Sequence, residues 1–142
     1  MGPSSTNKEL VKRFNLEFIE KGDMSAFQEI ISPDFLNQTA PPGVPKGPEG
    51  ILYYFNQMLR PAFPDLHVLI HDQVAEGDKV TTFKSFQGTH RGEFMGLPPT
   101  GRKIVMDIID IIRIQNGKFV EHWNVLDWGH VMSQLTSPVS EN

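Results

Sequence analysis

The chain has 142 residues, a formal net charge of −4 and no cysteine. Its length suits one domain with a substantial core, and the absence of cysteine excludes disulfides, thiolate metal sites and a cysteine nucleophile. The 13 Lys and Arg residues are scattered, which argues against a nucleic-acid binder. Because no apolar run approaches the ~20 residues of a membrane span and the N-terminus lacks the layout of a signal peptide, we expect a cytoplasmic protein without membrane contact.

Helical periodicity dominates the first part of the chain. Apolar residues recur at helical spacing over about Asn7–Lys21. Asp23 is suited to cap a short helix over about Met24–Ile31. A further amphipathic helix is predicted over about Glu49–Leu59, and Pro61 is expected to end it. The first part therefore predicts about three helices.

The second part changes to strand patterns. Four long strands are predicted, over Leu66–Ala75, Asp78–Thr89, Lys103–Ile114 and Lys118–Trp128. Asn116-Gly117 is the strongest hairpin signal, and Arg91–Arg102 is a loop rich in Gly and Pro. Helices followed by antiparallel strands predict the α+β class, with the helices packed on one face of a curved antiparallel sheet. We expect one domain over residues 7–135, with flexible termini over 1–6 and 136–142.

Three motifs carry a resemblance to a known family. They are Pro33-Asp34-Phe35-Leu36-Asn37, the stretch His90–Arg102 with its Gly-Leu-Pro-Pro-Thr-Gly-Arg sequence, and Arg113–Trp123 followed by Asp127. From about Lys8 to Leu135 the chain resembles the SnoaL-like polyketide cyclases of the nuclear transport factor 2-like superfamily. The resemblance implies a cone-shaped fold, a homodimer through the sheet face, and cofactor-free acid–base chemistry on a small apolar carbonyl compound.

One position departs from the resembled family. The cyclases use an aspartate on the last long strand as general acid/base, and aligning the hairpins puts that position at Asn124. An amide cannot exchange a proton near neutral pH, so Asn124 cannot be the general base. We therefore expect Asn124 to bind substrate.

Asp110 and His122 are the candidate catalytic residues. Asp110 is flanked by isoleucines on both sides, and a carboxylate in such surroundings needs a partner. A bulged turn at Gly117 would place Asp110 directly opposite His122, whereas a two-residue turn would set Ile111 opposite His122. We favour the bulged form, because it gathers Asp110, His122 and Asn124 on one face. Asp110 would then orient and charge His122 or shuttle a proton itself, unless it is a structural carboxylate.

His90 and Asn37 complete the candidate site. His90 ends a strand at the expected mouth of the pocket, where it would bind substrate, although it could equally be bonded within its loop. Asn37 resembles the family's pocket asparagine and would hold a ligand carbonyl, or else cap local backbone. No metal site is expected, because His67 and His71 lie four residues apart on a strand, about 13 Å from each other.

Two functions of different classes follow. The first is an enzyme for aldol-type cyclisation, isomerisation or dehydration of a small apolar carbonyl compound, without a cofactor. The alternative is a non-catalytic small-molecule-binding or dimerisation module, because Asn124 replaces the family's catalytic aspartate.

Overall fold

The computed structural model of the protein describes residues 3–137. Five strands form one sheet: β1 (Ile31–Asn37), β2 (His67–Glu76), β3 (Lys79–Thr89), β4 (Lys103–Gln115) and β5 (Lys118–Leu126). Their order is β1-β5-β4-β3-β2, and all neighbours are antiparallel except β1, which runs parallel to β5. The sheet is mixed, curved and not closed into a barrel, and the predicted α+β cone fold is confirmed.

Helical segments cover one face of this sheet, here called the inner face. The segments are α1 (Pro3–Arg13), which continues as a π-helix over Phe14–Glu20, α2 (Met24–Ile30), α3 (Pro48–Leu52), which continues as a π-helix over Tyr53–Leu59, α4 (Arg60–Ala62), and α5 (Trp128–Thr136). Aromatic rings pack between the helices and the sheet. For example, the centre of the Phe14 ring lies 5.0 Å from that of Phe119 on β5. Within residues 3–137, no helix is long and apolar enough to cross a membrane.

Helix boundaries differ from the sequence-based prediction at both ends of the chain. Residues 3–6, expected to be flexible, form the start of α1. Trp128–Thr136, for which no helix was predicted, forms α5, because Asp127 accepts a hydrogen bond from the His130 amide, and Val131 and Leu135 are buried. The expected flexibility of residues 1–2 and 138–142 concerns positions outside the described residues.

The strand β1 was not predicted from the sequence. No strand was predicted over residues 31–37, yet Ser32-Pro33-Asp34 lies in β1. Proline is tolerated in an edge strand because one side of that strand makes no ladder hydrogen bonds. The parallel β1 places Asn37 beside His122 on β5, which brings one candidate binding residue to the sheet.

The β4–β5 hairpin differs in register from the favoured prediction. Asn116 and Gly117 both have positive φ, 53° and 73°, and form a two-residue turn between paired Gln115 and Lys118. A register shift farther into the hairpin then sets Asp110 opposite Asn124 and Ile112 opposite His122. The prediction that Asp110 lies directly opposite His122 is therefore wrong by two residues. A shift of two keeps the face, because side chains alternate along a strand, so Asp110, His122 and Asn124 share the inner face.

Candidate functional site

A cavity of about 360 Å³ lies between the helices and the inner face of the sheet. Its wall is mostly apolar and aromatic, and includes Phe14, Phe35, Tyr54, Phe55, Phe86, Phe119 and Trp128. Its polar lining consists of Asn15, Asn37, Thr39, Lys84, Asp110, His122 and Asn124. Burial raises the pKa of the Tyr54 phenol, so this wall residue is a neutral hydroxyl at neutral pH. A mostly apolar wall with a few convergent polar groups is typical of a small-molecule site.

Three ionisable side chains meet on the sheet wall of this cavity. The Lys84 Nζ lies 2.9 Å from the Asp110 Oδ2, and the His122 Nε2 lies 3.5 Å from the same oxygen. The side chains of Lys84 and Asp110 are only 5% and 4% exposed, while that of His122 is 15% exposed. Asp110 is thus covered by its partners, and His122 is the more accessible group of the three.

Lys84 and His122 together favour the ionised form of Asp110. Burial by itself would raise the pKa of the Asp110 carboxyl, because it penalises a charge. The charge of Lys84, its hydrogen bond, and the charge and hydrogen bond of a protonated His122 outweigh that penalty and lower the pKa to about 2. Asp110 is therefore a carboxylate throughout the range in which the protein would function.

Asn37 and Thr39 fix the ring of His122. The Asn37 Oδ1 accepts a hydrogen bond from the Thr39 amide at 3.1 Å, which identifies this amide atom as the oxygen. The His122 Nδ1 lies 2.9 Å from the same oxygen and must donate to it. The proton of a neutral His122 is therefore on Nδ1, and Nε2, which faces Asp110, is the nitrogen that gains or loses a proton.

Thr39 also orients Asn124. The Thr39 hydroxyl donates to the Asn124 Oδ1 at 2.8 Å and accepts from the Asn124 backbone amide at 2.9 Å. Because the side-chain oxygen of Asn124 is occupied, its NH₂ group is the part that remains to contact a ligand. That NH₂ group donates no hydrogen bond to any group within residues 3–137. Asn124 can therefore donate to a carbonyl or enolate oxygen in the cavity.

His90 does not line the cavity, contrary to the expectation that it binds substrate there. It is 0% exposed, and its Nδ1 lies 3.0 Å from the Thr100 hydroxyl and accepts from the Thr100 amide at 3.2 Å. Its ring packs 5.6 Å from that of Phe63. Burial lowers the pKa of His90, so the ring is neutral and ties the Gly/Pro loop to the end of β3. The geometry therefore matches the alternative from the sequence, in which His90 is hydrogen-bonded within its own loop.

Sequence reasoning did not find Lys84, Asn15 or Thr39. Lys84 had a usable signal. It lies on the same face of β3 as Val80, Thr82 and Phe86, all of which are buried. A lysine at an inward position of a strand needs a buried partner, which points to an inward carboxylate such as Asp110. Asn15 and Thr39 carried no comparable signal, because neither the helical spacing nor the loop sequence distinguishes them from exposed polar residues.

Comparisons with known proteins bear on the family and the fold of this chain. The nogalonic acid methyl ester cyclase of Streptomyces nogalater is 30% identical over 112 residues, covering 78% of this chain and 83% of that protein. The aklanonic acid methyl ester cyclase of Streptomyces peucetius is 28% identical over 136 residues, covering 94% and 93%. Among solved structures, wild-type IdmH from Streptomyces antibioticus superposes with a TM-score of 0.80 at 34% identity, covering 91% of this chain and 97% of that chain.

Residues 9–135 match the family described as SnoaL-like polyketide cyclase, which is nearly the whole of the described chain. TsrD from Streptomyces laurentii has the same fold, with a TM-score of 0.85 at 27% identity over 97% of this chain and 100% of that chain. The chain therefore belongs to the SnoaL-like polyketide cyclase family.

Proposed function

We propose that this protein is a cofactor-free enzyme that removes a proton next to a carbonyl group of a small apolar substrate, and that aldol-type ring closure follows. Isomerisation or dehydration would use the same first step. The single observation that carries the proposal is the contact of His122 with the buried Asp110–Lys84 pair at the wall of an apolar cavity of about 360 Å³. Family membership supports the reaction class, while the substrate itself is part of the proposal.

His122 is the proposed general base. Asn37 keeps a proton on Nδ1, so the lone pair of the neutral ring is on Nε2. The neutral ring has no Nε2–H to donate to Asp110, so Nε2, 3.5 Å from that carboxylate, can take a proton from the substrate. The imidazolium that forms would face the Asp110 carboxylate and be stabilised by it.

Asn124 is the proposed donor to the developing negative charge. When His122 takes the α-proton, the C–H electron pair becomes an enolate, and the Asn124 NH₂ group would donate to its oxygen. In an aldol closure, the enolate carbon then forms a C–C bond to a second carbonyl carbon of the same molecule. The resulting alkoxide takes the proton back from His122, so the site returns to its starting state.

A binding module is the second candidate function. The observation that favours it is the amide at Asn124, which lies where the resembled cyclases have an aspartate and cannot exchange a proton. In that case the cavity holds a ligand without turning it over. The two candidates differ in whether protons next to the ligand carbonyl exchange with solvent.

Deuterium exchange is therefore the test. A panel of enolisable carbonyl compounds, including the methyl esters of nogalonic and aklanonic acid that the named relatives act on, would be incubated with the protein in D₂O. Mass spectrometry would follow α-deuteration, and calorimetry would follow binding. The matched variants are His122→Gln, which removes the base, and His130→Gln, which removes an exposed histidine on α5 outside the cavity lining.

We expect the wild type and His130→Gln to accelerate α-deuteration of at least one compound. His122→Gln should lose about 10²–10⁴-fold of that acceleration, the usual contribution of one acid–base group. Binding of a compound without any exchange above background would contradict the enzyme and favour the binding module. Exchange that survives in His122→Gln would contradict the role of His122.

We also propose that the protein is a homodimer through the outer face of the sheet, the face opposite the helices. Phe83, Ile109 and Val125 lie side by side in one row across β3, β4 and β5. Their exposed fractions are 41%, 51% and 75%. A row of large apolar side chains exposed together supports an interface, because such surface is unfavourable in water.

A further inference from the structure

Lys84 is a buried cation whose contacts are all inside the protein. Its Nζ donates to the Asp110 Oδ2 at 2.9 Å and to the Asn15 Oδ1 at 2.8 Å, and lies 5.1 Å above the centre of the Phe86 ring. Asn15 is itself 2% exposed and is held by a hydrogen bond from its Nδ2 to the Val11 carbonyl at 2.9 Å. The ammonium group is therefore fixed from three sides, and one of those sides is Asp110.

We propose that Lys84 is a positioning residue that keeps Asp110 permanently ionised, so that Asp110 is the fixed charge of the site and His122 alone carries the mobile proton. The catalytic meaning of this assignment rests on the proposed function, whereas the charge assignment itself does not. It decides between the two roles that the sequence left open for Asp110, orienting and charging His122 or shuttling a proton itself.

The geometry around Asp110 carries the assignment. Both partners contact the same oxygen, Oδ2, while Oδ1 is buried and has no hydrogen-bond partner within residues 3–137. A proton arriving on Asp110 would remove the counter-charge from Lys84 and leave a buried ammonium without an anion, which is strongly unfavourable. The lowered pKa of Asp110 agrees with this reasoning. Asp110 is also covered, so a ligand meets His122 before it meets the carboxylate.

The titratable groups that line the cavity together with Asp110 come from three elements. They are Lys84 on β3, His122 on β5 and Tyr54 on the π-helix that follows α3. When Tyr54 and His122 are neutral, the positive charge of Lys84 balances the negative charge of Asp110, and the site then has no net charge. Proton transfer to His122 then gives the wall one positive charge at the moment the substrate becomes an enolate. This charge change favours the transition state over the neutral substrate.

Carboxyl NMR of the ligand-free protein tests the assignment. The protein would be labelled with ¹³C aspartate, and the Asp110 signal assigned from its absence in Asp110→Asn. In the wild type we expect the Asp110 carboxyl to stay ionised from pH 7 down to about 3.5, where exposed aspartates, with a typical pKa near 3.9, are already more than half protonated. In Lys84→Met, the proton affinity of Asp110 should rise at least tenfold, and in Lys84→Arg, which keeps the positive charge, it should stay low.

The two possible results are distinct. An Asp110 that protonates at about pH 4 or above in the wild type, or a midpoint that Lys84→Met does not move, would overturn the proposal. The wild-type titration decides the first point even if Lys84→Met does not fold. The experiment uses no substrate, so a failure of α-deuteration would reject the proposed function and leave this assignment standing.

A kinetic readout separates positioning from mere structural support. If the deuterium-exchange assay detects turnover, the wild-type rate should show no Asp110 ionisation between pH 4 and 8. Lys84→Met should gain an additional acidic limb in its pH–rate profile, because Asp110 then becomes titratable. Lys84→Arg should restore the wild-type profile. A uniform loss of rate at every pH in Lys84→Met, with no new limb, would contradict the positioning role.

Discussion

Asp110 on β4 and Asn124 on β5 are direct cross-strand partners on the inner face of the sheet. The family resemblance led us to expect a catalytic aspartate at this β5 position, whereas in this chain the β5 residue is an amide and the carboxylate is on β4. The carboxylate is therefore one strand away from its expected place but still beside His122. This displacement is the reason that we assign proton transfer to His122 and oxyanion binding to Asn124.

The Lys84–Asp110 pair should behave as a buried ion pair in a double-mutant cycle. Asp110→Leu leaves Lys84 unpaired, and Lys84→Met leaves Asp110 partly unpaired, so each single change should lower the free energy of unfolding by about 3–5 kcal/mol. The double variant Lys84→Met/Asp110→Leu should be more stable than either single variant, because no buried charge is left. Urea denaturation gives all four values.

The control for that cycle is Lys12→Met. Lys12 pairs with Glu9 at 3.3 Å, with side chains that are 45% and 67% exposed, so its removal should change the stability by less than about 1 kcal/mol. Strictly additive single-variant effects in the Lys84–Asp110 cycle would show that the two residues are not energetically coupled.

Asp110 should also lower the free energy of unfolding as the pH falls into the acid range. Its pKa is about 2 in the folded protein, against a reference value of 3.8. At pH 5 and above the carboxylate is ionised in both states and its full stabilisation is present. As the pH falls toward 2, the unfolded chain binds the proton first, so about 2 kcal/mol of stability is lost.

Comparing unfolding free energies of the wild type and the Lys84→Met/Asp110→Leu variant between pH 5 and 2 isolates this loss, because the other acidic groups are common to both. The wild type should lose about 2 kcal/mol more than the double variant over that range. Parallel curves for the two proteins would contradict the low pKa of Asp110.

Thr39 should act through Asn124. Thr39→Val removes the hydroxyl that holds the Asn124 oxygen and leaves the NH₂ group free to turn away from the ligand. One lost hydrogen bond of about 1.4 kcal/mol corresponds to about a tenfold slower α-deuteration. Thr39→Ser keeps the hydroxyl and should retain most of the rate, and equal losses in both variants would exclude this role.

The dimer proposal is tested by a charge on the outer face. Ile109→Lys places an ammonium group in the middle of the Phe83–Ile109–Val125 row, where an interface would have to desolvate it. We expect size-exclusion chromatography with light scattering to give a dimer for the wild type and a monomer for this variant. Leu16→Lys, an exposed change on the first helix, is the control and should leave the dimer intact. A monomeric wild type would end the proposal.

Local sequence signals determined the elements with the strongest patterns. The cap at Asp23, the strand periodicity of β2 to β5 and the hairpin at Asn116-Gly117 depend on neighbouring residues, so they can be recognised without the fold, although the bulged turn favoured for that hairpin is not the one that forms. The motifs around Pro33, His90 and Arg113 carried the family resemblance. Alternation along a strand was enough to place His122 and Asn124 on one face.

Only the tertiary structure decided which groups meet. The two-residue turn and the register shift inside the β4–β5 hairpin together set Asp110 opposite Asn124 instead of His122, and the internal bulge leaves no mark in a regular alternating sequence. Lys84 reaches Asp110 from another strand, Asn15 reaches Lys84 from a helix 69 residues away, and β1 delivers Asn37 to His122 across 85 residues. His90 was predicted to bind substrate, but its ring Nδ1 is hydrogen-bonded to Thr100 in its own loop. The sequence determined the scaffold and the residues facing inward, whereas the pairing of charges depended on contacts between distant segments.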